Sequence, residues 1–357
     1  METVSIEYSL AGKILAEDVH NNFGLLLLPS GTLLDDANIT LLLTHKVERV
    51  SILRTKEYSA ERYSSVFSQH AIEKNYGEAG KQYVHALQQT KELFQQFSQG
   101  PVPSLIELIK YFYPLMDNVL EKVGFLHLLH EIEGADDYTY RHSVNVGLLA
   151  ALIAKLLKFP QEEVILIGQT GLLHDVGKML VPSEILLKAG KLTDDEFEIM
   201  KQHTTWGVHL LRASGITDET ILSGTLLHHE RLDGSGYPEG RKEPDIPYYV
   251  QILSVADVFD ALSADRVYRK RLSPFEAAKT VSQLTFQGQL NPEIVTPFIH
   301  YILQFYIGAE AILSNGEQAE VVMIHKDEPL RPLVRIGEEY VDLRIERSLI
   351  IEQLTRS

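Results

Sequence analysis

Seven side chains have types and spacing that could do chemistry together: His142, His174, Asp175, His203, His228, His229 and Asp257. The adjacent pair His174-Asp175 can supply one terminal imidazole and one bridging carboxylate from a single helix end. His228-His229 adds two more imidazoles from another. Two neighbouring divalent cations need about seven or eight nitrogen and oxygen ligands, with a carboxylate shared between them. A water held between two such ions loses a proton near neutral pH and becomes a nucleophile, while the ions clamp a phosphate oxygen. The implied chemistry is metal-assisted hydrolysis of a phosphate ester. Taken singly, each of these histidines reads as an ordinary surface or core residue; the ordered set does not.

Composition narrows the donors. The chain of 357 residues has no cysteine, so neither a disulfide nor a thiolate ligand exists. Metal must then be held by imidazole and carboxylate, which suits iron, manganese and zinc. Apolar content of 45% and charged content of 23% are those of a soluble globular protein. The net charge of −16 argues against general DNA or anionic-membrane binding. Within that acidic background Arg266 to Arg271 form a basic island. The start, Met1-Glu2-Thr3-Val4, lacks the basic and apolar regions of a signal peptide. The longest apolar stretch, Val144 to Leu157, contains Asn145 and Lys155 and is too short to span a bilayer. A cytoplasmic protein without a membrane span is expected.

The elements that must carry the seven residues read as helices. Nearly everything from Leu105 to about Phe305 does so. Ser143 to Leu157 is strongly apolar and is followed by Pro160. Glu162 to Leu173 is a buried helix running into His174-Asp175. Thr193, with Glu196 three residues on, is a capping-box pattern that opens the helix carrying His203. Thr217-Asp218-Glu219-Thr220 is a similar start for the helix that delivers His228 and His229. Ser273-Pro274 caps another, with proline in its first turn.

Smaller units are expected around this region. Residues 1–55 read as a mixed α/β unit: a strand within Gly24 to Thr32, a helix at Asp36 to Thr44 and a strand at Val47 to Leu53. Residues 56–104 read as a helical connector ending at Gly100-Pro101-Val102-Pro103. Its Val84, Leu87, Phe94 and Phe97 make one apolar stripe. That stripe either packs on a neighbouring helix or serves a homodimer or signalling contact. The catalytic region is expected at 105–307. From 308 to 357, short strands at Ala319–Ile324, Leu333–Ile336 and Tyr340–Leu343 form a β appendage. The expected fold class is mainly α.

At this point the chain resembles the HD-GYP domain proteins, a subgroup of the HD metal-dependent phosphohydrolases. The resemblance rests on Tyr138-Thr139-Tyr140-Arg141-His142-Ser143, His174-Asp175-Val176-Gly177-Lys178 and Gly190-Lys191-Leu192-Thr193. It continues with His203 before Gly207, His228-His229-Glu230 through Gly236-Tyr237-Pro238-Glu239-Gly240, Ala256-Asp257 through Leu262, and Arg266-Val267-Tyr268-Arg269. It spans about 190 residues, from near Val119 to near Tyr306.

The resemblance implies an all-helical HD-type bundle that hydrolyses cyclic di-GMP to pGpG, with a further cut to GMP. By position, His142, His174, Asp175 and Asp257 match the first metal set. Asp175 would bridge to a second ion held by His203, His228 and His229, with iron or manganese expected at both. Lys178 matches the lysine facing the scissile phosphate, so Asp175 and Lys178 are the expected catalytic pair. Arg266 and Arg269 match phosphate-contacting positions. Tyr237 would stack on guanine or anchor its loop, and Gly234, Gly236 and Pro238 would shape that loop. Some family members carry a glutamate four residues before the first histidine. Tyr138 stands there in this chain, which favours two ions over three. The alternatives are a cyclic GMP-AMP or other phosphate-ester hydrolase, and a non-catalytic cyclic di-GMP receptor. A diguanylate cyclase (GGDEF) partner docking on the Gly-Tyr-Pro face is compatible with activity.

Overall fold

The computed structural model describes residues 2–52 apart from 8–9, 11–12, 14, 22–25, 31, 33 and 35; 69–121 apart from 101 and 103–108; 138–263 apart from 189; 272; and 274–355. The chain is mainly helical, as expected, with small sheets toward both ends.

Among the first described residues, strand β1 (Glu2–Ser5) pairs antiparallel with β4 (Arg49–Ile52), and β2 (Val19–His20) with β3 (Leu26–Leu28). Helix α1 (Asp36–Thr44) covers them. Ile6, Leu15, Leu34, Ile39, Leu42 and Val50 form their own core. Helix α2 (Gln69–Phe97) is interrupted at Gly77. Past that break Tyr83, Ala86, Thr90, Phe94 and Phe97 are buried. The face packs on α3 (Phe112–Glu121) and α4 (Tyr138–Leu156); of the expected stripe, Phe94 and Phe97 are buried while Val84 and Leu87 are half-buried.

Helix α4 is the central element. From Tyr140 to Ala154 every residue is buried, which is why its sequence is apolar on all sides rather than striped. It begins at Tyr138, five residues before the apolar run, and so carries His142 on its first turns. Its neighbour α5 (Gln161–Leu173) lies against it at near backbone contact. A Cβ at Gly171 would sit 2.7 Å from Gly147 Cα, and one at Gly147 would sit 2.8 Å from Gly168 O. Only glycine permits this crossing. The crossing brings the start of α4 and the end of α5 together.

A 3₁₀ turn (Val176–Leu180) and the short helix α6 (Ser183–Leu186) lead to α7 (Asp194–Lys201). The capping box at its start is complete: Glu196 N–H donates to Thr193 Oγ1 at 3.3 Å, and Thr193 N–H to Glu196 Oε2 at 2.7 Å. Helices α8 (His203–Ala213) and α9 (Glu219–Leu227) follow. The cap of α9 is Asp218, not Thr217: its Oδ1 accepts from Thr220 N–H at 2.8 Å. Helices α10 (Tyr248–Ser263), α11 (Pro274–Phe286) and α12 (Pro292–Leu303) complete the bundle.

The last sheet has five antiparallel strands, not three. Strands β5 (Glu310–Leu313), β6 (Gln318–Met323), β7 (Leu333–Ile336), β8 (Glu339–Asp342) and β9 (Ile351–Thr355) are ordered β8-β7-β6-β5-β9. The added strand β9 returns to pair with β5, aligning Leu354 with Ala311. This pairing joins segments about forty residues apart, so no local turn signal announces it. Ala311, Leu313, Val321, Val334 and Ile351 share a core with the helices.

Candidate metal centre

Three histidines reach the site from helix ends. His174 closes α5 and His228 closes α9, each as the residue after the last full turn. The sequence led one to expect His203 on the capping-box helix, but α7 stops at Lys201 and His203 opens α8 directly behind it. In all three the ring Nδ1 lies on the carbonyl three residues back: Gly171 O at 2.6 Å, Thr225 O at 2.9 Å and Met200 O at 2.7 Å. These carbonyls lie in the last turn of a helix, where acceptors lack intrahelical partners. Each ring therefore donates from Nδ1 and turns its Nε2 lone pair inward. His142 on α4 does the same through a carboxylate, its Nδ1 donating to Asp260 Oδ2 at 2.7 Å.

The inward-facing atoms converge on Asp175. Its Oδ2 is 3.5 Å from His142 Nε2 and 3.3 Å from His174 Nε2. Its Oδ1 is 3.3 Å from His203 Nε2 and 3.8 Å from His228 Nε2. Asp257, from α10, sets Oδ1 3.1 Å from His142 Nε2 and Oδ2 3.6 Å from His229 Nδ1. Two donor groups result: His142, His174 and Asp257 on one side, and Asp175, His203, His228 and His229 on the other, each within 4.8 Å. The seven residues singled out in the sequence come together in space.

Electrostatics give the group its character. Burial pushes the Asp175 carboxyl upward, but the His174 and Lys178 charges beside it hold it well below the usual range. Burial likewise opposes ionisation of Asp257, and the hydrogen bond from His142 with the charge of His229 overcomes it. Burial lowers His203 to about 4, against the pull of Asp175. Burial and neighbouring imidazoles keep His228 and His229 well below the usual value. Burial would also lower His142, yet Asp257 and Asp260 raise it to about 9. The cavity thus holds two ionised carboxylates and, at His203, His228 and His229, neutral imidazoles, a set of lone pairs suited to a divalent cation.

Two buried atoms in this cavity, His174 Nε2 and Asp175 Oδ1, have no hydrogen-bond partner among the described residues. Unpaired buried polar atoms are costly and call for an explanation. A cation on each side of Asp175 would satisfy both. The residues present fit divalent metal.

Lys178 lies on the 3₁₀ turn after Asp175, its ammonium on Asp175 Oδ2 and its side chain 18% exposed. Tyr237 sits over the opposite side, its ring centroid 4.6 Å from His229 and 6.4 Å from His203. Burial raises its phenol above the ordinary range, so the ring stays neutral. Phe197 of α7 meets it edge-on at 6.1 Å, with Lys201 Nζ over both rings. Tyr138 stacks on His142 at 5.4 Å, one turn away on the same helix. Arg266 and Arg269 lie outside the described residues.

The loop carrying Tyr237 is held from below. Gly234 turns it at φ +82°, and the Tyr237–Pro238 bond is cis. A Cβ at Gly236 would lie 2.4 Å from His229 O and 2.5 Å from Arg231 N, so the loop can cross the double histidine only as glycine. Glu230 supplies the anchor, a role its place in the sequence did not reveal. Its carboxylate is buried and accepts Glu239 N–H at 2.8 Å and Arg241 N–H at 3.0 Å. Ser254 Oγ holds His228 O at 2.7 Å from α10. Asp260, to which the sequence assigns no role, follows Asp257 by one helical turn and supports His142.

Comparisons with known proteins agree with this geometry. Residues 121–294 match the family model described as HD domain. The chain is 35% identical over 219 residues to the cyclic di-GMP phosphodiesterase PA4108 of Pseudomonas aeruginosa, over 61% of this chain and 52% of that protein. It is 40% identical over 192 residues to a cyclic di-GMP phosphodiesterase of Thermotoga maritima, over 53% of this chain and 51% of that one. It is 33% identical over 175 residues to the 3'3'-cGAMP-specific phosphodiesterase 1 of Vibrio cholerae, over 49% of this chain and 40% of that one. The chain thus spans about half the length, or less, of these curated relatives.

Residues 121–294 thus match an HD domain, and the helical bundle there carries two donor groups that could hold divalent metal. The matched residues include the Gly236-Tyr237-Pro238 turn beside the double histidine. Among the described residues, no helix is long and apolar enough to cross a membrane.

Proposed function

We propose that this chain is a metal-dependent phosphodiesterase that opens cyclic di-GMP to pGpG, with a further cut to GMP. The observation that carries the proposal is the position of Asp175, whose two oxygens face two separate donor groups. His142, His174 and Asp257 would hold one divalent ion, and His203, His228 and His229 the other, with Asp175 shared. Iron or manganese suits these donors. Bound there, the pair would supply an acidified water and a clamp for phosphate oxygens.

The remaining roles belong to the protein's own side chains. Lys178 would turn its ammonium to a phosphate oxygen as negative charge builds there. Tyr237, neutral and beside His229, would flank a guanine. Arg266 and Arg269 would take the distal phosphate. Because these groups address phosphate more than base, a mixed GMP-AMP dinucleotide is the second substrate. The relative of Vibrio cholerae named for 3'3'-cGAMP favours keeping it. A cytoplasmic setting goes with either substrate.

The test is turnover by protein purified anaerobically and loaded with manganese or ferrous iron, given cyclic di-GMP and 3'3'-cGAMP in competition. Wild type should release the linear dinucleotide, and Asp175→Ala should not. Equal, background-level rates for the two proteins would end the enzymatic proposal. Tight binding without turnover would make the chain a receptor.

A further inference from the structure

The first metal group does not stand on the HD region alone. His142 Nδ1 donates to Asp260 Oδ2 at 2.7 Å, and Asp260 Oδ1 accepts from Asn145 Nδ2 at 2.8 Å. Asn145 Oδ1 in turn accepts from the hydroxyl of Tyr83 at 2.7 Å. Tyr83 lies on α2, ahead of the matched residues 121–294. All four side chains are buried, Tyr83 completely. Burial raises the Tyr83 phenol above its ordinary range, so the hydroxyl keeps the proton it donates.

We propose that Tyr83 is a positioning residue for the metal centre. Its hydroxyl fixes the Asn145 amide, the amide fixes Asp260, and Asp260 aims His142 Nε2 at the cavity shared with Asp175 and Asp257. Each link has one satisfied geometry. Asn145 can give its N–H₂ to Asp260 only while its oxygen faces a donor, and Tyr83 is that donor. Asp260 then keeps the His142 tautomer whose Nε2 is free for a cation. Removing the hydroxyl leaves a buried amide oxygen unpaired and lets the amide turn, so Asp260 loses its second restraint. The helix before the HD region thereby acts on a metal ligand through hydrogen bonds alone. This inference rests on His142 being a ligand.

The experiment measures manganese affinity by competition with a chelator, and the visible bands of the cobalt-loaded protein. Four forms are compared: wild type, Tyr83→Phe, Asp260→Asn and the double variant. Tyr83→Phe should weaken manganese binding about fivefold and shift the cobalt bands. Asp260→Asn, one bond from the ligand, should cost roughly 10- to 100-fold. In the double variant the Tyr83 effect should vanish, because its route is already cut. A structural role for Tyr83 would lower the melting temperature of metal-free protein without moving the cobalt bands. Unchanged affinity in Tyr83→Phe, or a fivefold loss that persists in the Asp260→Asn background, would overturn the inference. A wild type that binds no manganese would overturn the metal proposal along with it. The two failures are therefore distinguishable.

Discussion

His203 and His228 meet Nε2 to Nε2 at 3.4 Å, each with its Nδ1 proton committed to a backbone carbonyl. Two lone pairs that close repel unless a cation lies between them. Divalent metal should therefore stabilise the fold as well as enable chemistry. At free metal 100 times the dissociation constant the gain is about 2.7 kcal/mol. Thermal unfolding with a chelator and with added manganese checks this. A melting temperature indifferent to both would contradict it.

Lys178 can be separated from the ligands. Lys178→Met keeps the length of the side chain and removes its charge. Metal content should stay at the wild-type level, while kcat falls by about 10²- to 10³-fold, the usual effect of losing one stabilising donor. Metal analysis beside steady-state kinetics distinguishes this from a loss of metal.

Glu230 tests the loop. Its carboxylate takes two backbone N–H groups from the far side of the Gly-Tyr-Pro turn. Glu230→Ala leaves those donors unpaired, at a cost of about 1–3 kcal/mol confined mainly to the loop. KM should rise more than kcat falls, because Tyr237 loses its fixed place while the ligand helices keep theirs. Hydrogen exchange at Glu239 and Arg241 should quicken in the same variant.

The α4–α5 crossing should tolerate no side chain. Gly171→Val puts a branched side chain where even a Cβ lies 2.7 Å from Gly147 Cα. The helices must part, which costs about 3 kcal/mol or more and separates His142 from His174. Both the melting temperature and the metal content should drop, whereas Lys178→Met lowers neither.

Tyr138 bears on the number of ions. It occupies the helical position one turn before His142, with its ring stacked there. Metal analysis should return about two ions per chain, the number the donor groups can serve. Tyr138→Glu should raise the count toward three. A wild type that already holds three would refute the assignment.

Much of this was legible in the residues. The Thr193 and Glu196 spacing forecast the start of α7, and the apolar run to Leu173 forecast that a helix would deliver His174. Caps and apolar runs are local, and local patterns survive folding. What escaped notice was held by distant partners. Strand β9, the last of its sheet in sequence, pairs with β5, the first. Glu230 looked like part of a motif and proved to be a staple, because its partners are backbone amides that carry no side-chain signal. Nothing local marks Tyr83 on α2, since its partner Asn145 lies sixty-two residues on.

The sequence by itself determined the donor types, their order and, for His174 and His228, the helix ends that bear them. It did so because imidazole, carboxylate and the absence of thiol restrict the chemistry, and because helix ends have local signatures. Only the tertiary structure decided that the two oxygens of Asp175 face different groups and that the inward nitrogens of His174, His203 and His228 are the ones left without a proton. Those choices depend on which carbonyl or carboxylate meets each outer nitrogen. Helix packing, set in part by the glycine crossing of α4 and α5, brings those partners into reach.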